Sequence, residues 1–449
     1  MRTPLPIWFS ALLLAAGTAT SAHALPLTLP QTKLLAPDGS ANDHFGMAVA
    51  VSGDTAVIGA EGDSSKHGAA YVYLRNGQSW TLQQKLVAAD GANGDEFGHA
   101  VAIDGNTVVV GAYGDDDNAD LSGSAYVFVR SGTTWTQQQK LLATGGFAGD
   151  EFGASVAISG DTALIGAFLR DDNGTSSGAA YVLTRSGATF TQQQKLLASD
   201  GVANDEFGAS VALQGDTALI GAFGSSDHGT SSGAAYVFAR SAGVFAQAQK
   251  LVPADGASHE FFGNAVALYG NTAVIGAFQD DDGANNAGSA YVFTRSAGSF
   301  SFTDKLLAAD PKADDSFGYS VAVGRSFALV GAYQHDDNGA DSGAVYLFER
   351  GGDSFPSQQK ILASDGSASN WFGWSVAIDD SAGAAVIVGA YGDDDKGSFS
   401  GSSYAFTQAA PLPVPALGAG RALGLGLLLL SVALLAMRPL ARRAPRRGS

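Results

Sequence analysis

Several loops of this chain carry side-chain oxygens at the spacing a hard cation requires. Asp115/Asp117, Asp171/Asn173, Asp280/Asp282, Asp336/Asn338 and Asp393/Asp395 each set two such residues two positions apart, shortly after a Gly-Ala pair. Alternate residues of a loop can turn toward one point, and Ca2+ gathers about six to eight carboxylate, carbonyl and water oxygens. These ten residues are therefore candidate calcium ligands. The corresponding place holds Glu61/Asp63 near the start of the chain and the poorer set Ser225/Asp227 near its middle. The same residue types also build a solvated turn closed by side-chain to backbone hydrogen bonds, so both readings stand.

Other chemistries find less support. Acidic pairs could serve glycoside hydrolysis, but an active site in a repetitive chain is expected to be a single departure from the repeat, and no acid departs clearly. The histidines at 44, 67, 99, 228, 259 and 335 show no H-E-x-x-H spacing, there is no nucleophile elbow, and there is no cysteine. A non-enzymatic role is expected. Trp371 and Trp374 flank Phe372-Gly373 and make that segment the most distinctive. They offer either a sugar-stacking platform or buried packing. Lysines at 33, 85, 140, 195, 250, 305 and 360, and arginines at 75, 130, 185, 240, 295 and 350, recur once per repeat and read as scaffold.

Positioning these residues is the task of a repeat. Phe-Gly recurs at Phe45, Phe97, Phe152, Phe207, Phe262, Phe317 and Phe372, spaced by 52 once and by 55 five times. A period of that size means one supersecondary unit per repeat. The third unit spells four strands: Ala154–Ser159, Thr162–Ala167, Ala179–Arg185 and Thr189–Leu197. Its second strand is apolar on both faces, as a strand covered on both sides must be. Small residues crowd the first two strands, where units would converge. The seventh unit ends at Gln408 without a fourth strand, and the missing one lies at the other end, in Leu27–Ala36. The predicted fold is all-β: a seven-bladed β-propeller of four-stranded blades whose last blade is completed by the N-terminal strand, which removes a free edge. A C-terminal transmembrane helix is added to it.

The ends predict export. Residues 1–24 have a basic start, a short apolar run and Ala22-His23-Ala24, the pattern of a signal peptide. Residues 25–410 form the propeller, 411–421 a Pro/Gly-rich linker, 422–437 an apolar membrane or sorting helix and 438–449 an Arg-rich cytoplasmic tail. Sixteen helical residues span only about 24 Å, so the helix must extend back past Arg421, which can snorkel to the interface.

Phe-Gly, then Gly-Ala with Phe or Tyr, then Gly-x-x-Tyr-Val resembles the FG-GAP repeat of the integrin α-subunit propeller and of many bacterial exported proteins. The resemblance covers all seven units and implies the same propeller. In integrin-type repeats calcium sits between Phe-Gly and Gly-Ala; here a tight turn such as Ser159-Gly160-Asp161 fills that place, so any calcium would use the opposite loops. The C-terminus is similar to sorting signals of the PEP-CTERM type, with Pro413-Val-Pro-Ala-Leu417 where those carry Pro-Glu-Pro. That resemblance implies processing and transfer toward the cell surface; a retained inner-membrane anchor with a periplasmic propeller is the alternative.

Strands that run up and down send successive loops to alternate faces. The long loops share one face, and they hold 34 of the 43 acidic residues with only Lys66, Arg170, Lys312 and Lys396 among them. Such a face repels nucleic acid and attracts cations or basic groups. The expected function is an exported, membrane-tethered or surface-sorted binding module of the adhesion type. It would be a monomeric propeller that engages a protein or glycan through its acidic face, with calcium as candidate cofactor. A secreted polysaccharide hydrolase or lyase and a purely structural envelope component are the alternatives.

Overall fold

Twenty-eight strands form seven separate four-stranded antiparallel sheets in the computed structural model, which describes residues 30–381 and 384–407. Six sheets use four consecutive strands. The seventh joins Gln31–Leu34 to Ser402–Thr407, with Gln31 opposite Phe406 and Leu34 opposite Ser403. The N-terminal strand therefore closes the ring, as the missing strand of the last repeat requires. In the third blade the strands are Ser155–Ser159, Thr162–Ala167, Ala179–Ser186 and Thr189–Leu196, within one residue of the expected limits.

First strands pack on the first strands of both neighbouring blades, so they line the axis and the fourth strands face outward. Second strands are buried along their whole length in nearly every blade, as in Thr162–Ala167. Each apolar cluster joins two blades. Phe152, with no exposure, packs with Val109, Val127 and Leu141 of the second blade and with Tyr181 and Leu183 of its own. The repeated Phe is thus the wedge between blades. Its amide also donates to the preceding blade, as Phe207 does to the carbonyl of Ser177 at 3.2 Å. Gly166 shows why small residues are obligatory near the axis. A Cβ there would lie 2.0 Å from the carbonyl oxygen of Gly208 in the next blade, and Gly208 itself sits at φ +98°, where side chains are strained.

The repeated arginines are rivets. Arg185 donates from Nε to Asp161 on its own tight turn and from Nη1 to Thr107 Oγ1 of the preceding blade at 2.8 Å, and Arg240, Arg295 and Arg350 repeat the second bond. The described chain enters at Pro30 and leaves at Thr407, and Thr407 lies opposite Ala385 at the start of a second strand. Both ends therefore sit on the tight-turn face, opposite the long loops.

The chain divides into two units, residues 1–408 and 409–449. The expected signal peptide, linker, apolar helix and basic tail lie outside the described residues. Among the described residues no helix is long and apolar enough to cross a membrane.

Candidate functional site

The long-loop face carries two kinds of polar site, one repeated in every blade and one made once around the axis. The repeated site begins at the third residue after Gly-Ala, which is buried in all seven blades: Asp63, Asp115, Arg170, Ser225, Asp280, His335 and Asp393. In three blades the expected pairs do converge on a cation, and that cation is a lysine ammonium. Lys140 Nζ lies 2.7 Å from Asp115 and 3.0 Å from Asp90 and also pairs with Asp117. Lys305 lies 2.8 Å from Asp280 and 2.9 Å from Asp255 and pairs with Asp282. Lys33 reaches Asp393, Asp395 and Asp365 at 2.7–2.9 Å.

The strands dictate this convergence. The lysine rises from the fourth strand over a tyrosine ring of the third, as Lys140 does over Tyr126 at 5.3 Å. The tyrosine hydroxyl donates to the same buried carboxylate, Tyr126 to Asp115 at 2.9 Å and Tyr291 to Asp280 at 2.8 Å. Burial penalises each ammonium, but the carboxylates around it outweigh that and raise Lys33, Lys140 and Lys305. Burial likewise opposes ionisation of Asp90, Asp255 and Asp365, and the lysine bonds hold them below the usual carboxylate value.

In two blades the expected pairs are not brought together. Asp171 accepts the amide of Ser176 at 2.8 Å and Asp336 that of Asp341 at 2.9 Å, each closing its own turn. Asn173 and Asn338 donate to the carbonyls of Ala198 and Ala363. The cation there faces the intervening residue: Lys195 pairs with Asp172 at 2.7 Å, and Lys360 pairs with Asp337. Asp337 is held down at about 2, chiefly by the hydrogen bond from Lys360. Counting four basic residues on this face therefore missed seven more, because the fourth-strand lysines project their ammonium groups into the acidic loops.

Aligning the loops on Gly-Ala exposes single-blade departures that the Phe-Gly register hides. Arg170 replaces the buried Asp and binds Asp150 at 2.7 Å, Asp172 at 3.1 Å and the carbonyl of Gly145 at 2.7 Å. His335 replaces it in the sixth blade, fully buried, with Nδ1 2.9 Å from Asp315 and Nε2 3.2 Å from both Asp337 and Lys360 Nζ. Asp310, His335 and Asp337 present three metal-type donor atoms within 4.8 Å of one another, and Lys360 already stands among them.

The second site is the mouth of the axis. Three residues per blade reach it, from just before and just after Phe-Gly and from just after Gly-Ala, because these positions sit where the two innermost strands meet the long loops. From the fourth blade to the seventh eight of these twelve residues are aromatic, the others being Glu206, Ala209, Asn264 and Ser316. Phe223 meets Phe261, which stacks on Phe278 at 5.3 Å; Phe278 meets Tyr319, and Tyr319 meets Trp374 at 4.5 Å. Trp374 lies 4.9 Å from Tyr333 and 4.4 Å from Tyr391, and Tyr391 lies 4.8 Å from Trp371. All of them are half-buried. The two tryptophans thus form neither a pure core nor an isolated platform; they belong to an arc that crosses four blades.

The first three blades contribute Glu61, Glu96 and Glu151 among His44, Met47, His99, Tyr113, Ala154 and Phe168, and the fourth contributes Glu206. Glu61 is clamped between His99 Nδ1 at 2.6 Å and His44 Nδ1 at 3.4 Å. Burial works against its ionisation, yet the two imidazoles hold it at about 2. Glu96 pairs with Lys66. Glu151 and Glu206 have no such partner among the described residues. Burial raises both, Glu206 by burial alone, and one Glu206 oxygen is enclosed without a hydrogen bond.

The free polar atoms continue around the arc. Among the described residues the tryptophans away from the mouth are satisfied: Trp80 Nε1 donates to Thr407 and Trp135 Nε1 to Gln83. Trp371, Trp374, Tyr319 and Tyr391 donate to nothing among the described residues. A family model for the FG-GAP repeat matches residues 29–73, 80–128, 135–183, 190–238, 245–293, 300–348 and 355–406. Each match runs from the fourth strand of one blade through the first three strands of the next, so every match straddles two blades. No curated protein matches the chain.

Proposed function

The chain belongs to the FG-GAP repeat family, and on that premise we propose that it is an exported binding module that presents its long-loop face to a protein or glycan ligand. The observation that carries this reading is the contrast on that face. Repeated lysine–carboxylate clusters give the blade loops built-in counter-ions, while the axial mouth keeps aromatic faces, ring donors and two carboxylates without partners. Unspent polar and aromatic groups gathered around the axis are what a ligand site needs.

A membrane tether or sorting segment at residues 422–437 belongs to this proposal. Calcium enters this proposal as a competitor of the lysines rather than as a filler of vacant loops. The test is capture by the full chain, immobilised through its C-terminus, of proteins from envelope extracts and of oligosaccharides from a defined panel. Saturable capture of either class, lost on substitution at the mouth, supports the module. Capture of neither sinks it, and turnover of a captured glycan would move the chain to the hydrolase reading.

A further inference from the structure

We propose that the axial mouth is a glycan-binding site in which Trp371, Trp374, Tyr391 and Tyr319 lie against the pyranose faces of an uncharged glycan, while Glu151 and Glu206 accept hydrogen bonds from its hydroxyls. This deepens the binding-module reading and rests on it.

Ring geometry comes first. Around Trp374 the rings are tilted, by 46° to Tyr319, 70° to Tyr391 and 37° to Trp371, so they meet edge to face, and each remains half-exposed. The phenylalanine pair beside them is different: Phe261 and Phe278 lie only 17° apart and stack on each other. The arc is thus stacked at its apolar end and edge-on at its Trp/Tyr end.

Polar atoms then select the ligand class. These rings carry indole N–H and phenol O–H groups that the protein leaves unused, although among the described residues it satisfies the two indoles outside the mouth. Those donors want acceptor oxygens, which a lysine or arginine side chain does not supply. Glu151 and Glu206 want donors, which an apolar ligand does not supply. A pyranose offers both, since its hydroxyls donate and accept while its C–H face lies on aromatic rings. Uronic or sulfated sugars would face two unpaired carboxylates on a face with 34 acidic residues, so the glycan is uncharged.

The test uses the full chain and its intrinsic tryptophan fluorescence, titrated with cellohexaose, xylohexaose, mannohexaose and chitohexaose, with hexagalacturonate as the charged control. At least one neutral hexaose should bind and shift the emission. Trp374→Ala should weaken it about tenfold or more, as loss of a ring platform does, while Asp120→Asn on an outer loop leaves it unchanged. Tyr391→Phe and Glu206→Gln, which keep the packing, should each weaken it about two- to fivefold. They decide the matter if Trp374→Ala proves unstable. Failure of every neutral hexaose, full binding by these variants, or equal binding of hexagalacturonate would overturn the proposal. If a protein ligand is captured while the hexaoses fail, this inference falls and the module reading survives; if neither class is captured, both fall.

Discussion

The blade clusters and the axial mouth share one face and much of the same chemistry, yet they solve opposite problems. In a blade, Asp115 is almost inaccessible and has a lysine at 2.7 Å and a tyrosine hydroxyl at 2.9 Å. At the mouth, Glu206 is half-buried, with one enclosed oxygen that no donor reaches. A buried charge is tolerated when its partners are built in. The blades meet that condition by repetition, and the mouth departs from it. Repetition here marks scaffold, and the unrepeated, unsatisfied place marks the candidate site.

Breaking a blade cluster should have the largest effect. Lys305→Met strips the counter-ion from Asp280 and should cost about 3–5 kcal/mol, read by denaturant melts of the full chain. Lys195→Met should cost much less, about 1 kcal/mol, because Arg170 stays beside Asp172. Equal losses would remove the view that each lysine is its cluster's resident cation. The same variant tests calcium. Wild type should melt at the same temperature in EGTA and in millimolar calcium, whereas Lys305→Met frees Asp255, Asp280 and Asp282 and should gain. Saturation at about 100 times the dissociation constant adds about 2.7 kcal/mol. A calcium shift in wild type of that size would show the loops to be metal sites despite the lysines.

Glu260 sharpens the comparison from inside a blade. Burial pushes its pKa up to about 7, and one of its oxygens has no hydrogen-bond partner. The folded state then holds a proton that the unfolded chain has released. Stability should fall as pH rises from about 4.5 to about 7, and Glu260→Gln should recover about 1–2 kcal/mol at pH 8 and nothing at pH 4. Asp337 has the opposite sign: its folded value of about 2 means a contribution present above its ordinary value near 3.8 and lost as pH drops toward 2. Its Asn variant should match wild type at pH 2 and be the weaker at pH 6. The smallest effect belongs to the mouth. Glu206→Gln should change stability by less than about 1 kcal/mol, in the stabilising direction at neutral pH, since it removes an unpaired charge. A clear loss would mean that Glu206 is scaffold after all.

The ring was legible because its determinants are local and periodic. Phe-Gly, the tight Ser159-Gly160-Asp161 turn and the all-apolar Thr162–Ala167 each force their own geometry, and seven copies leave one way to close. The loop pairs were legible only as composition. Asp115/Asp117 and Asp171/Asn173 look alike in sequence, but the first pair shares a lysine and the second does not, because Arg170 holds the buried position that Asp115 holds. The aromatic arc was hidden for another reason. Tyr319 and Trp374 follow Phe-Gly one period apart and Tyr391 follows Gly-Ala, so the spacing marks the first two as equivalent positions but does not show that all three touch.

By itself the sequence determined the number of blades, the strand that closes the last one, the small residues demanded near the axis and the face that collects the acids. Each follows from patterns within one repeat length. Tertiary structure alone decided that the lysines pair with many of those acids and that the mouth gathers most of its aromatic rings in the last four blades and its carboxylates in the first four. Partnership between side chains on different strands is set by where the strands converge, and convergence is a property of the closed ring rather than of any single repeat.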